Sequence, residues 1–252
     1  MSILNIKLSK LRSPDSLLIK CLSFLKALVE IAYLIIRYPS TKSLKLASLI
    51  LQVKPWYTMV SVPRLVNLYQ RVEDANRLQL PGDIVECGTW NGGSAAMMGK
   101  ASLDMNNLRI TWVFDSFEGL PRPGERDTQD LHDFYFDGWC KGDTEKVQQI
   151  FNTLNLPPAS LKIGKGWFDK TLPTAPVKEI AVLHIDSDWY DSVKVVLDCL
   201  YDKVVAHGYI VIDDYWVWEG CRKAVEDFLA TRQLKVSLHS VAGLAVYFQK
   251  EA

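Results

Sequence analysis

Two uninterrupted apolar runs, each closed by a pair of aspartates, constrain this chain more than any other feature. The first lies within AVLHIDSDWY and ends in Asp186 and Asp188, and the second, residues 209–212, ends in Asp213 and Asp214. Such runs read as strands buried on both faces. The segment between them, DSVKVVLDCLYDKV, has helical character. Two parallel neighbours joined by one crossover helix bring their C-terminal ends side by side. Four carboxylates then meet on one rim, the edge at which open α/β sheets bind ligands. Acids that close together repel, which favours a bound cation or a raised pKa.

The remaining chain supplies a sheet for these strands to join. A loop and then a helix are expected over 57–80, with Pro63 in the first turn and Leu65, Leu68, Tyr69, Val72 and Ala75 at helical spacing. Pro81 and Gly82 end it, DIVEC forms a short strand, and GTWNGGS turns into a helix over 95–103. A strand over 109–114 ends in Asp115. After a long segment come a helix (144–154), a strand (161–163), the first acid-tipped strand, its crossover helix and the second. A helix over 220–231 and two strands near 235–240 and 244–249, joined by Ala242-Gly243, close the chain. Strand and helix alternating in this way imply an α/β fold: a mostly parallel, seven-stranded sheet, helices on both faces and a C-terminal antiparallel hairpin. Residues 117–143, rich in Gly, Pro, Asp and aromatics, are too long for an ordinary connection and read as a lid.

The first 55 residues read as a helical extension, and residues 56–252 as the catalytic domain. On a helix over 17–36, Lys20, Ser23, Lys26, Glu30, Tyr33 and Arg37 form one polar stripe against an apolar remainder. Charges inside the window argue against a membrane span, and no small-residue cleavage site marks a signal peptide. The apolar face is expected to be covered by the domain or by another subunit of a homo-oligomer, with peripheral membrane contact as the alternative. Lys plus Arg and Asp plus Glu each number 29, so no global charge argues for nucleic acid. The five cysteines form no CxxC pair, which leaves a reducing, cytoplasmic setting as the expectation.

A strand, a glycine turn and a helix together form a nucleotide-binding device. The turn GTWNGG is neither GxGxxG nor a triphosphate loop. Asp115, at the end of the next strand, is placed to bond ribose hydroxyls, and Glu86 is placed to serve a ligand ammonium. Two acids without a phosphate-binding lysine describe a site for S-adenosylmethionine. The plainer alternative makes Asp115 a turn cap and Glu86 a buried partner.

The stretches VECGTWNGGS, VFDSFEGLP, GWFDKTLP, LHIDSDWYDS, LYDKV and GYIVIDDY, with TMVSVPRLVNL upstream, resemble the macrocin O-methyltransferase family from residue 57 onward. The resemblance implies a class I, Rossmann-like methyltransferase fold and methylation of sugar hydroxyls with S-adenosylmethionine and magnesium. It implies Asp186, Asp213 and Asp214 as metal ligands. It also places Glu86, Gly88, Ser94, Asp115 and Ser116 around the cofactor, with Thr58 and Met59 folded over it. The residue types agree, since strand-end carboxylates suit a hard cation that acidifies a hydroxyl.

The general base is less determined by the residues. Related catechol-type methyltransferases place a lysine three residues beyond the first metal aspartate, where this chain has Trp189. Asp188, His132 on the lid or metal-bound solvent are the alternatives. His184, inside an apolar strand, reads as a satisfied core residue. Phe134, Tyr135, Phe136 and Trp139 either close over a glycoside acceptor or simply pack. A metal phosphoesterase or nucleotide-sugar transferase would also use paired aspartates, but would bring Lys or Arg to the phosphates, and none is expected at these strand ends. A non-catalytic docking relative is the remaining alternative.

Overall fold

The computed structural model describes residues 16–251. The expected N-terminal extension before residue 16 therefore lies outside the described residues. In chain order the elements are α1 (Leu17–Arg37), α2 (Thr41–Val53), α3 (Val62–Arg77), β1 (Asp83–Cys87), α4 (Gly93–Asp104), β2 (Thr111–Asp115), α5 (Gln129–Phe134), α6 (Thr144–Thr153), β3 (Leu161–Lys165), α7 (Phe168–Thr171), β4 (Ile180–Ile185), α8 (Tyr190–Leu200), β5 (Val204–Ile212), α9 (Glu219–Thr231), β6 (His239–Val241) and β7 (Ala245–Gln249). The strands form one sheet in the order β3-β2-β1-β4-β5-β7-β6. The first five are parallel, and β7 runs antiparallel to both of its neighbours.

The sheet lies between two apolar layers because alternate residues of each strand point to opposite faces. Ile84, Val113, Val182 and Val211 join α1–α4 and α6, whereas Val85, Phe114, Leu183 and Ile212 join α8 and α9. All six residues of β4 are buried, which is why its sequence shows no alternation. Ala242 and Gly243 both have positive φ, 53° and 67°, and are the central residues of the turn that Leu244 N closes by donating to Val241 O, within a three-residue connection from β6 to β7.

Several boundaries differ from the sequence reading, and three have a clear physical cause. β5 begins at Val204 rather than 209: the buried Val204 pairs with Ile180, and a register irregularity with the exposed Ala206 and His207 interrupts the apolar run before 209. β6 is limited to His239–Val241, the part that β7 can pair. β2 starts at Thr111, and Arg109 instead ties down the preceding loop by donating to the carbonyls of Leu80 and Gly82 and to Asn76.

The domain covers only part of the apolar face of α1. Lys20, Ala27 and Ile31 are its buried residues, while Leu18, Leu22, Leu25, Val29 and Ile36 are exposed. The covered surface is mixed: Ala27 and Ile31 join the apolar core, with Leu34 and Ile35 packed against it, and Lys20 and the half-buried Glu30 lie beside them. The amide of Val62, at the start of α3, has no acceptor from the Ser61 side chain and instead donates to Glu30 at 3.1 Å. α2 behaves as an ordinary core helix: Leu46, Ile50 and Val53 join the same cluster as Leu65 and Met97. No helix among the described residues is long and apolar enough to cross a membrane.

Candidate active site

Backbone hydrogen bonds carry the sheet one step past its strands and align the rim. Gly166 N donates to Asp115 O, Gly88 N to Phe114 O, Asp186 N to Cys87 O and Asp213 N to Ile185 O, all within 2.8–2.9 Å. The residue after each strand is thereby held in register with its neighbours. Gly88 sits so close to the next strand that a Cβ there would lie 1.7 Å from Asp186 O, and its φ is +86°. Glycine is required on both counts.

A cavity of about 430 Å³ opens above this rim. Asp186, Asp188, Asp213 and Asp214 all line it, as do Thr58, Met59, Gly88, Ser94, Asp115 and Ser116. Asp213 Oδ1 and Asp214 Oδ2 are buried without a hydrogen-bond partner. Burial, reinforced by the neighbouring acids, pushes the carboxyls of Asp186 and Asp214 well above the usual range. Asp188 adopts φ 56° and accepts a hydrogen bond from Trp218 Nε1 at 2.7 Å, and burial raises its carboxyl to about 6. Ligand atoms of Asp186, Asp213 and His184 lie within 4.8 Å of one another, and Asp214 stands beside this group.

The acid cluster has a cation that the sequence reading did not anticipate. Arg64, from the first turn of α3, pairs with Asp213 Oδ2, donates to Asp213 O at 3.2 Å and approaches Asp214 Oδ1 to 3.8 Å. The expectation that no Lys or Arg reaches these strand ends is therefore corrected. Arg64 stands 149 residues before Asp213, and only the packing of α3 on the sheet brings them together. It lies inside the TMVSVPRLVNL stretch, so that motif held the available signal.

On the cofactor side, Asp115 accepts from the amides of Thr89 and Trp90, both at 2.9 Å, and of Phe117 at 2.7 Å. It clasps the glycine turn to β2 and still faces the cavity. Ser116 braces the following loop by donating to Gly119 O at 2.9 Å. Glu86 does not line the cavity: Thr89 Oγ1 donates to its Oε2 at 2.5 Å, and its Oε1 lies 2.8 Å from His184 Nδ1. His184 is thus buried in its strand and bonded to Glu86, but it is not the satisfied core residue expected, because its Nε2, 3.7 Å from Asp213 Oδ1, has no hydrogen-bond partner. Burial opposes a charge on this imidazole, but the carboxylates of Asp213 and Glu86 outweigh it and raise the pKa to about 9.

The segment expected as a lid packs on the rim. Trp189 Nε1 donates to Pro121 O at 2.9 Å, and Asp127 accepts from Tyr190 N at 3.0 Å. Gly119, Leu120, Pro121 and Cys140 reach the cavity. Phe136 stacks on Trp139, which meets Trp189 edge-on, and Trp189 meets Trp218 likewise. Phe134, Tyr135, Phe136 and Trp139 do not line the cavity. His132 is exposed, bonded to Gly124 O at 3.2 Å, and is not brought to the acids. Trp167 and Phe168 line the cavity from the GWFDK stretch, a role its composition alone did not disclose.

Comparison with known proteins agrees with this geometry. The family model Macrocin-O-methyltransferase (TylF) matches residues 52–250. Demethyldecarbamoylnovobiocin O-methyltransferase of Streptomyces niveus is 34% identical over 211 residues, which cover 77% of this chain and 76% of the relative. Mycinamicin III 3''-O-methyltransferase of Micromonospora griseorubida is 32% identical over 203 residues, covering 78% and 79% respectively. Among solved structures, the O-methyltransferase NovP superposes with a TM-score of 0.71 at 34% identity, covering 78% of this chain and 83% of NovP. The calicheamicin methyltransferase CalS11, at 18% identity and a TM-score of 0.62 over 87% and 90%, shares the fold. With the strand order, the glycine turn and the acid rim in place, the chain belongs to the macrocin O-methyltransferase family of class I methyltransferases.

Proposed function

We propose that this chain transfers the methyl group of S-adenosylmethionine to a sugar hydroxyl of a glycosylated natural product or glycan, with magnesium held by Asp186, Asp213 and Asp214. The observation that carries the reading is the pair of buried, unpartnered oxygens, Asp213 Oδ1 and Asp214 Oδ2. Buried carboxylate oxygens without donors are costly, and an all-oxygen donor set fits a hard divalent cation. Relatives named for demethyldecarbamoylnovobiocin and mycinamicin III support a natural-product acceptor. The O-methyltransferase family sets the phosphoesterase alternative aside.

When bound, the donor supplies an electrophilic methyl group and the cation lowers the pKa of the acceptor hydroxyl. The chain supplies position and a proton sink. Asp115 accepts hydrogen bonds from the donor's ribose with the lone pairs its three amides leave free, and Gly88 lets the ligand approach the backbone. Thr58, Met59, Ser94 and Ser116 close around it. Glu86 acts indirectly, by holding Thr89 and His184 in place. Asp188, which lines the cavity, would take the proton that the acceptor hydroxyl loses on methylation. Calorimetry with S-adenosylmethionine, with and without magnesium, tests the assignment: binding is expected in both, and methyl transfer only with the cation.

A second reading concerns α1. Its exposed row of Leu18, Leu22, Leu25, Val29 and Ile36 is apolar. Residues 1–54 hold nine of the 29 Lys and Arg but two of the 29 Asp and Glu. We infer that this face rests on an anionic membrane surface, as a peripheral contact on the cytoplasmic side. Pairing α1 with α1 in a homo-oligomer would bring like charges together, whereas acidic lipid attracts them. Co-sedimentation with phosphatidylserine vesicles but not phosphatidylcholine vesicles is expected, and is lost in Leu25→Ser/Val29→Ser. A stable oligomer that ignores both vesicles would assign the face to a second copy.

A further inference from the structure

A second cavity, of about 310 Å³, lies between α1 and the acid rim. It shares Met59 and Arg64 with the main cavity, so a ligand seated on the rim can extend into it. Its walls include the apolar Ile19, Leu22 and Leu244. Among them stands Lys54, only 4% exposed.

The charges around Lys54 are already committed. Arg64 is engaged with Asp213, Asp214 and Ser61. Glu30 accepts from Val62 N at 3.1 Å and pairs with Lys26 at 3.8 Å. The Lys54 ammonium has neither a hydrogen bond nor an ion pair among the described residues. A buried ammonium with no ion pair is unfavourable, and the same cavity is lined by two further cations, Lys26 and Arg64, and by one acid, Glu30, which is engaged with Val62 N and Lys26. An anion entering there would meet a desolvated cation already in place, together with the hydroxyls of Ser23 and Ser61.

Building on the reading of this chain as a sugar O-methyltransferase, we propose that the Lys54 cavity is an acceptor subsite for an oxyanion, so that the preferred acceptor is a sugar bearing a phosphate ester or a carboxylate. Lys54 supplies charge and Arg64 marks the passage to the rim, where the sugar hydroxyl is presented to the acids. Specificity then comes from the subsite, at a distance from the methyl group. The subsite also explains why a lysine stands where a methionine would pack without a charge.

The test is binding of glucose, glucose 1-phosphate and glucuronate to the full chain at physiological salt, in wild type, Lys54→Met and Lys54→Arg. At least one of the two anions is expected to bind tenfold or more tightly than glucose. That preference is lost in Lys54→Met and retained in Lys54→Arg. Which anion gains distinguishes ester from carboxylate. Equal binding of all three, or a preference that survives in Lys54→Met, overturns the subsite. S-adenosylmethionine affinity, measured on the same preparations, is expected to be the same in all three proteins. Its absence in wild type would instead strike the methyltransferase reading, while the anion preference still decides the subsite.

Discussion

Arg64 from α3 sits on Asp213 at the tip of β5, pairing with its carboxylate and donating to its carbonyl at 3.2 Å. In this arrangement the guanidinium stands where the rim needs positive charge. Its side chain is 13% exposed and that of Asp213 3%, so removing it leaves a buried acid without its partner. Arg64→Met is expected to cost about 3 kcal/mol in chelator. Magnesium should restore part of the loss if the same acids accept the ion. Thermal unfolding in both conditions measures this, and a loss indifferent to magnesium would separate Arg64 from the cation site.

Asp186→Asn and Asp213→Asn are expected to abolish methyl transfer with S-adenosylmethionine affinity unchanged, because Asp115 and the glycine turn lie on another part of the rim. Excess chelator should reproduce the loss in wild type, and added magnesium should reverse it. Full turnover in chelator would remove the metal role.

Asp115→Ala should weaken S-adenosylmethionine binding by roughly 1.5–3 kcal/mol, the value of hydrogen bonds to a charged acceptor. It also releases the amides of Thr89, Trp90 and Phe117, so some stability is lost as well. Calorimetry on the folded variant separates the two effects, and unchanged affinity would confine Asp115 to holding the turn.

Gly88→Ala should destabilise the protein by more than about 3 kcal/mol, since positive φ and a clash with backbone act together. The added methyl would lie 1.7 Å from Asp186 O, an atom that cannot swing away without breaking the rim. Gly138→Ala provides a control for the φ term, because φ is +83° there with nothing within 4 Å of the added carbon. Comparable losses at both positions would show that the close approach of β1 and β4 contributes little.

Burial, helped by Arg64, lowers the Lys54 ammonium from its ordinary 10.5 to about 8. The folded pKa is depressed, so between about 8 and 10.5 the unfolded chain carries a proton that the folded chain lacks. Stability from this group therefore rises with pH across that window and is at its lowest below it. Lys54→Met should gain about 3 kcal/mol below pH 8 and lose the rise. Denaturant titrations from pH 7 to 10.5 on both proteins check the sign, and parallel curves would mean that the lysine is solvated.

The acid rim was legible because apolar runs long enough to be buried on both faces end abruptly in Asp186 and Asp213, and one helix between them leaves little choice of topology. The hairpin was equally legible, since Ala242-Gly243 sits where two strands must reverse. Local patterns of this kind report what each segment does by itself. They do not report what it meets. α1 showed its amphipathic stripe plainly, yet which of its residues turned inward depended on α3 and the core it packs on, which come from other parts of the chain. Nothing in the local sequence marks Arg64 or Lys54 as buried, for the same reason. Glu86, read as a cofactor ligand, was claimed by His184 across the sheet. Periodicity and strand-end chemistry determined the layers and the location of the acids. Tertiary packing alone decided which charges share a buried space, because the energy of a charge depends on neighbours and solvent access rather than on position in the sequence.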